Sequence, residues 1–133
     1  MTIIVDGYNV IYKLKLLDKF VYNMELARNR LMNILANYQG YVDQEVIVVF
    51  DGSSINGNRE SFDGPENIRV FYASGAQGAD IFISQLVYKH ANCQEVMVVT
   101  GDSLERMSVA GLGARTMSPE RFEQEVDKVC GHS

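Results

Sequence analysis

Four short apolar runs punctuate the chain, and small or acidic residues close each of them. Thr2–Val5 (TIIV) stops at Asp6-Gly7, and Gln44–Phe50 (QEVIVVF) stops at Asp51-Gly52. Ile68–Tyr72 (IRVFY) runs into Ala73-Ser74-Gly75, and Glu95–Thr100 (EVMVVT) stops at Gly101-Asp102. Ala114–Met117 (ARTM) is a weaker fifth candidate. Runs with so little polar alternation are what parallel strands covered on both faces require. Between them, apolar residues recur at three- and four-residue spacing. Met24, Ala27, Leu31, Ile34, Leu35 and Tyr38 predict a long amphipathic helix, and Ala79, Phe82, Ile83, Leu86 and Val87 a second. Ser103–Gly111 is a shorter helix. Ser118-Pro119 is a helix-start signal, followed by an apolar stripe of Phe122, Val126 and Val129. Strands alternating with helices predict an open α/β sheet of about five mostly parallel strands, flanked by helices. The polar stretch Gly52–Asn67, GSSINGNRESFDGPEN, reads as one long loop of the functional or mobile kind.

Composition narrows the class. A chain of 133 residues, 47% apolar and 22% charged, fits a single domain over 1–133 and excludes disorder or collagen-like repeats. No apolar run approaches the ~20 residues of a membrane span. The start, MTIIVDGYNV, lacks the basic and long apolar regions of a signal peptide, so a cytoplasmic location away from membranes is expected. Cys93 and Cys130 show no metal-ligand spacing and read as free thiols in a reducing compartment. His90 and His132 fall at a helix end and at the chain end, where neither reads as a base or a zinc ligand. The net charge of −5 disfavours broad nucleic-acid coating, yet it suits an enzyme that meets phosphate through a bound cation.

The chemistry resides at the strand ends. In an open parallel sheet, ligands bind outside the carboxyl ends of the strands. Asp6, Asp51 and Asp102 stand at or just past three of those ends, and Asp80 opens the helix after the remaining one. Singly, each has an ordinary reading. Asp-Gly is a turn dipeptide, Asp102 with Glu105 matches a capping box, and Asp80 suits a first helical turn. Jointly they repel one another unless a cation is shared, and a hard divalent ion, Mg²⁺ or Mn²⁺, is the natural partner for clustered carboxylates. Such a site suits phosphoryl chemistry, with the metal activating water and clamping an in-line displacement. Asn9 is placed to orient a phosphate, and Thr100 and Ser103 offer hydroxyls at the same edge. Glu105 reads either as a capping partner or as a support to the metal.

IIVDGYNVIY, VIVVFDG, GAD before a helix, VMVVTGDSLER and GARTMSPERFEQEV, in that order, closely resemble the YacP-like branch of the NYN domains, within the PIN-like nuclease superfamily. The resemblance runs from about Ile3 to Val126. It implies a Rossmann-like (PIN-like) three-layer fold and a metal-dependent ribonuclease, an endoribonuclease of RNA turnover. Asp6, Asp80 and Asp102 match the family's metal and catalytic positions, Asn9 the Asn of its opening motif, and Asp51 a further acid. Two departures stand out. Ile81 occupies a place where members commonly carry a second acid, which bears on the number of metals, and Gly101 replaces a common Ser. The chain also stops soon after its last helix, without an extension that some members carry and that bears on partners.

Among the basic residues, Lys13, Lys15, Arg59 and Arg106 follow or lie within loops at the catalytic edge and are candidates for RNA phosphates. Tyr8 is a candidate for base stacking, whereas Tyr12 is expected in the core. The low positive charge predicts weak, salt-sensitive RNA binding, with selectivity supplied by the ribosome or an RNA-processing assembly. A phosphoacceptor receiver domain would need an adjacent acidic pair after the first strand and a Lys after the fifth, and neither is present. A catalytically weak RNA-binding or assembly module of the same fold stays open beside the nuclease.

Overall fold

The computed structural model describes residues 1–14, 22–52, 58–74, 78–91 and 94–131. Cys93, His132 and Lys15 lie outside them. Strand β1 (Thr2–Asp6) passes directly into helix α1 (Gly7–Lys13), followed by α2 (Met24–Gln39) and β2 (Glu45–Asp51). The short β3 (Arg59–Ser61) precedes β4 (Arg69–Ala73), α3 (Gly78–His90) and β5 (Val96–Val99). The chain closes with α4 (Ser103–Gly111), β6 (Arg115–Met117) and α5 (Pro119–Cys130).

The sheet has the order β3-β4-β2-β1-β5-β6, and every pairing is parallel except β3 with β4. Six strands rather than five result because Arg59–Ser61, inside the stretch expected to be loop, pairs antiparallel with Ser61 opposite Val70 and Arg59 opposite Tyr72. A polar three-residue edge strand carries no apolar signature. Nor does seven-residue α1, whose two turns are too short to display a stripe.

Side chains alternate between two cores, which is why the central strands read as unbroken apolar runs. Ile3, Val5, Val48, Phe50 and Val99 face α1, α2 and α5, where Val10, Ile11, Leu31, Leu35 and Phe122 meet them. Ile4, Ile47, Val49 and Val98 face α3 and α4 through Ile83, Val87 and Val109. Helix ends follow the expected chemistry. Ser118 accepts from the Arg121 amide with Pro119 behind it, and Gly131 takes the left-handed conformation (φ 61°) that ends α5. Tyr12 departs from expectation. It projects from α1 at 61% exposure, because Val10, Ile11 and Leu14 already fill the buried side of that short helix. Among the described residues, no helix is long and apolar enough to cross a membrane.

From β1 the chain moves to β2 and β4 on one side, then to β5 and β6 on the other. The carboxyl ends of β1 and β5 therefore flank the point where the direction of winding reverses, the place where open α/β sheets hold ligands.

Candidate metal centre at the sheet edge

Asp6 is the last residue of β1, with α1 beginning at the next residue, and is only 7% exposed, with Thr100 and Glu105 against its carboxyl. The tight passage from strand to helix explains Gly7: a Cβ there would run into the ring of the wholly buried Phe50. Asp80 stands exposed in the first turn of α3, which packs on the same side of the sheet. Glu105, in the first turn of α4, is buried at 3% exposure. One carboxylate oxygen from each of these three lies within 4.8 Å of the others. Among the described residues, this is the group of acids close enough to share a cation.

Thr100 organises the buried part. Its Oγ1 lies 3.0 Å from Glu105 Oε1 and 3.4 Å from Asp6 Oδ2, so its proton can go to either. The same oxygen accepts the Asp102 amide at 3.2 Å. Asp102 Oδ1 caps α4, accepting from the Leu104 and Glu105 amides at 2.9 and 3.4 Å. The capping box is therefore half formed. Because the Thr100 hydroxyl satisfies the backbone of Asp102, the Glu105 carboxyl does not turn back and points to Asp6 instead. Among the described residues, Glu105 Oε2 is buried with no hydrogen-bond partner. A carboxylate oxygen so placed needs a proton shared with Asp6, or a cation.

The electrostatics agree. Burial pushes the Glu105 carboxyl up to about 10, helped by its contact with Asp6 and by the charges of Asp6 and Asp80. Asp6 is likewise raised, chiefly by burial. Its hydrogen bond with Glu105 opposes that rise, and the charge of Asp80 adds to it. Two buried acids that resist ionisation, beside a third at the rim, form a donor set that fits a hard divalent cation.

The other candidates occupy the same edge in different ways. Asn9 Oδ1 accepts the Gly101 amide at 2.6 Å, tying α1 to the turn after β5. A side chain on Gly101 would crowd both Asn9 Oδ1 and the Lys13 methylenes, which accounts for glycine at that place. Lys13 thus lies alongside the turn that carries Asp102. Asp51 stands at the end of β2, with its Oδ2 3.6 Å from where a Cβ on Gly78 would be, at the start of α3. Ser103 is exposed as the first residue of α4, and the amide of half-buried Arg106 bonds the Asp102 carbonyl. Tyr8 packs its ring on Phe50 (centroids 5.3 Å apart), and its hydroxyl accepts from Arg28 Nη1 at 2.9 Å. Arg59 sits in strand β3, not in a loop, with its guanidinium 5.1 Å above the Tyr72 ring.

Sequence reasoning leaves Glu105 between two roles and does not single out Arg28 for RNA. The signal available for Glu105 is Thr100, two residues ahead of the capping Asp102 and able to satisfy its amide. Residues 3–132 match the YacP-like NYN domain family. The protein described as "Uncharacterized protein YacP" of Bacillus subtilis (strain 168) is 31% identical over 129 residues, covering 96% of this chain and 75% of the relative. The crystal structure of Rae1 (YacP) from Bacillus subtilis superposes with a TM-score of 0.84 at 30% identity, covering 97% of this chain and 75% of that one. A variant of the same protein gives 0.83 at 29% identity, with 97% and 76% covered.

Proposed function

Because the chain belongs to the YacP-like NYN domain family, we propose that it is a metal-dependent ribonuclease that cuts within RNA strands. The observation that carries this reading is the convergence of Asp6, Asp80 and Glu105, together with a Glu105 Oε2 that is buried and without a hydrogen-bond partner among the described residues. These three acids would hold Mg²⁺ or Mn²⁺, and Asp102, outside that group, would add the negative charge of Oδ2, the oxygen that its capping role leaves unbonded, at the same turn. A cation so held supplies a nucleophile by lowering the pKa of water and offsets charge developing on the phosphate.

The chain's own residues do the rest. Thr100 fixes the orientation of Glu105 and Asp6 through its hydroxyl. Asn9 holds the turn bearing Asp102 in place, so that strands β1 and β5 present their acids together. Lys13 and Arg106 at this edge neutralise the RNA backbone, and Ser103 offers a hydroxyl beside them. Asp51 supports the start of α3 and hence the position of Asp80. The exposure of Asp80 leaves the site open to a long strand, in keeping with internal cleavage. With a net charge of −5, selectivity falls to a larger RNA-containing assembly such as the ribosome.

The second reading, an RNA-binding module with little turnover, is favoured by one observation. Ile81, beside Asp80, is an exposed apolar residue (46%) where family members commonly carry a second acid. Mn²⁺-dependent cleavage of an end-labelled RNA separates the two. Wild type is expected to give internal products, and the double substitution Asp6→Asn with Asp80→Asn to give none. Equal residual cleavage by both proteins would end the nuclease reading.

A further inference from the structure

A cavity of about 540 Å³, within the range of small-ligand sites, opens between α2 and the β3–β4 edge. Arg28, Arg59 and Tyr72 line it, with Asn29, Glu25 and Asp63 around them. Three aromatic rings connect its floor with the catalytic edge: Tyr8 against Phe50 at 5.3 Å, and Phe50 against Tyr72 at 5.7 Å. Tyr8 belongs to α1, the helix that follows Asp6 directly, so the ladder runs from the start of that helix into the cavity.

Its two cations are pre-positioned, and no ion pair among the described residues neutralises them. Arg28 Nη1 is anchored on the Tyr8 hydroxyl at 2.9 Å, and the Arg59 guanidinium lies over Tyr72, which its strand pairing places opposite. Among the described residues neither makes an ion pair, although Glu25 and Asp63 line the same cavity. Arg69 provides the contrast, since it is committed to Glu60 at 2.9 Å and Glu45 at 3.6 Å. An exposed guanidinium backed by an aromatic ring is a stacking plane for a base, and a second guanidinium held by the Tyr8 and Tyr72 hydroxyls retains other donors for a phosphate.

We propose that this cavity binds one unpaired nucleotide of the RNA strand, flanking the point of cleavage. Its base stacks on Arg59 and its phosphate lies on Arg28. Glu25 and Asp63 serve as acceptors for a base amino group and disfavour a second phosphate. The inference rests on the RNA reading above, because that reading supplies the nucleotide that the cavity would hold.

The test is fluorescence anisotropy with a short unpaired oligoribonucleotide of about twelve nucleotides, in EDTA so that binding is read apart from cleavage. Arg28→Ala with Arg59→Ala is expected to weaken binding about tenfold or more. It should also flatten the dependence of log K on log salt by about 0.7 for each phosphate no longer neutralised. Arg59→Lys, at an exposed position that folding tolerates, keeps the charge and loses the plane. It is expected to weaken RNA binding several-fold while leaving an abasic oligomer unaffected. Variants that bind like wild type, or wild type that binds the abasic oligomer as tightly as RNA, would overturn the proposal. So would a wild type that binds no RNA. Loss of binding in the variants of a protein that shows no Mn²⁺-dependent cleavage would sustain the groove while removing the nuclease reading.

Discussion

Glu105→Gln should make the metal-free protein more stable at mildly alkaline pH while weakening its response to metal. A carboxyl with a higher pKa folded than unfolded binds its proton more tightly in the native state. Its contribution to stability is whole below the ordinary value of 4.5 and is lost as pH rises toward about 10, the value to which burial and Asp6 push Glu105. One such group sets a slope of at most about 1.4 kcal/mol per pH unit, so between about pH 5 and pH 8 the upper bound on the loss is about 4 kcal/mol. At roughly 3 °C per kcal/mol for a chain of this size, the wild type's melting temperature in EDTA should fall by up to about 12 °C across that range. Asp6, raised in the same sense, adds to the trend. Glu60 opposes it only at lower pH, because its pKa is lowered by the Arg69 guanidinium hydrogen-bonded to it. Glutamine has no proton to lose and can still donate to Asp6, so the variant's melting temperature should change much less with pH and exceed that of wild type at pH 8. Millimolar Mn²⁺ at pH 8 should raise the wild-type value, as any ligand of the native state does, and raise the variant's less. Calorimetry with and without Mn²⁺ measures both. An unchanged pH slope in the variant, or equal stabilisation of the two proteins by Mn²⁺, would refute the arrangement of charges described above.

Asp102 separates capping from charge at the metal centre. Asp102→Asn retains an acceptor of equal capping strength and should melt within about 1 °C of wild type, yet lose most Mn²⁺-dependent cleavage because Oδ2 is no longer anionic. Asp102→Ala should lose cleavage and a further ~0.5–2 kcal/mol of stability. Full cleavage by the Asn variant would reduce Asp102 to a cap. At Gly7, alanine improves helix propensity by about 1 kcal/mol, but its methyl enters the Phe50 ring, which Tyr8 and Tyr72 hold from either side. Overpacking costs about 1–3 kcal/mol, so Gly7→Ala should lower the melting temperature by a few degrees. A rise would show that the ring can move aside.

The strands of the sheet centre were legible because burial on both faces leaves an apolar run with no polar beat, as in Val46–Phe50, each of them almost fully buried. Helix ends were legible where a cap is local: Ser118 and Arg121 are three residues apart, and no other element is needed to join them. What escaped depended on partners distant in sequence. Arg59–Ser61 becomes a strand only because β4 offers its free edge, and nothing in RES announces it. Asp6 and Asp80 lie close together because they stand at a strand end and a helix start, places that topology alone brings together. Glu105 illustrates the limit. Its spacing from Asp102 satisfies the capping box, and in an isolated helix the carboxyl would fold back to the Asp102 amide. In this fold the Thr100 hydroxyl has taken that amide, so the same three-residue spacing releases a buried carboxyl toward Asp6. A local motif therefore yields an inward-facing carboxyl when one hydroxyl from the preceding strand end displaces half of it. The residues to inspect in such a turn are those that compete for its backbone, as well as its acids.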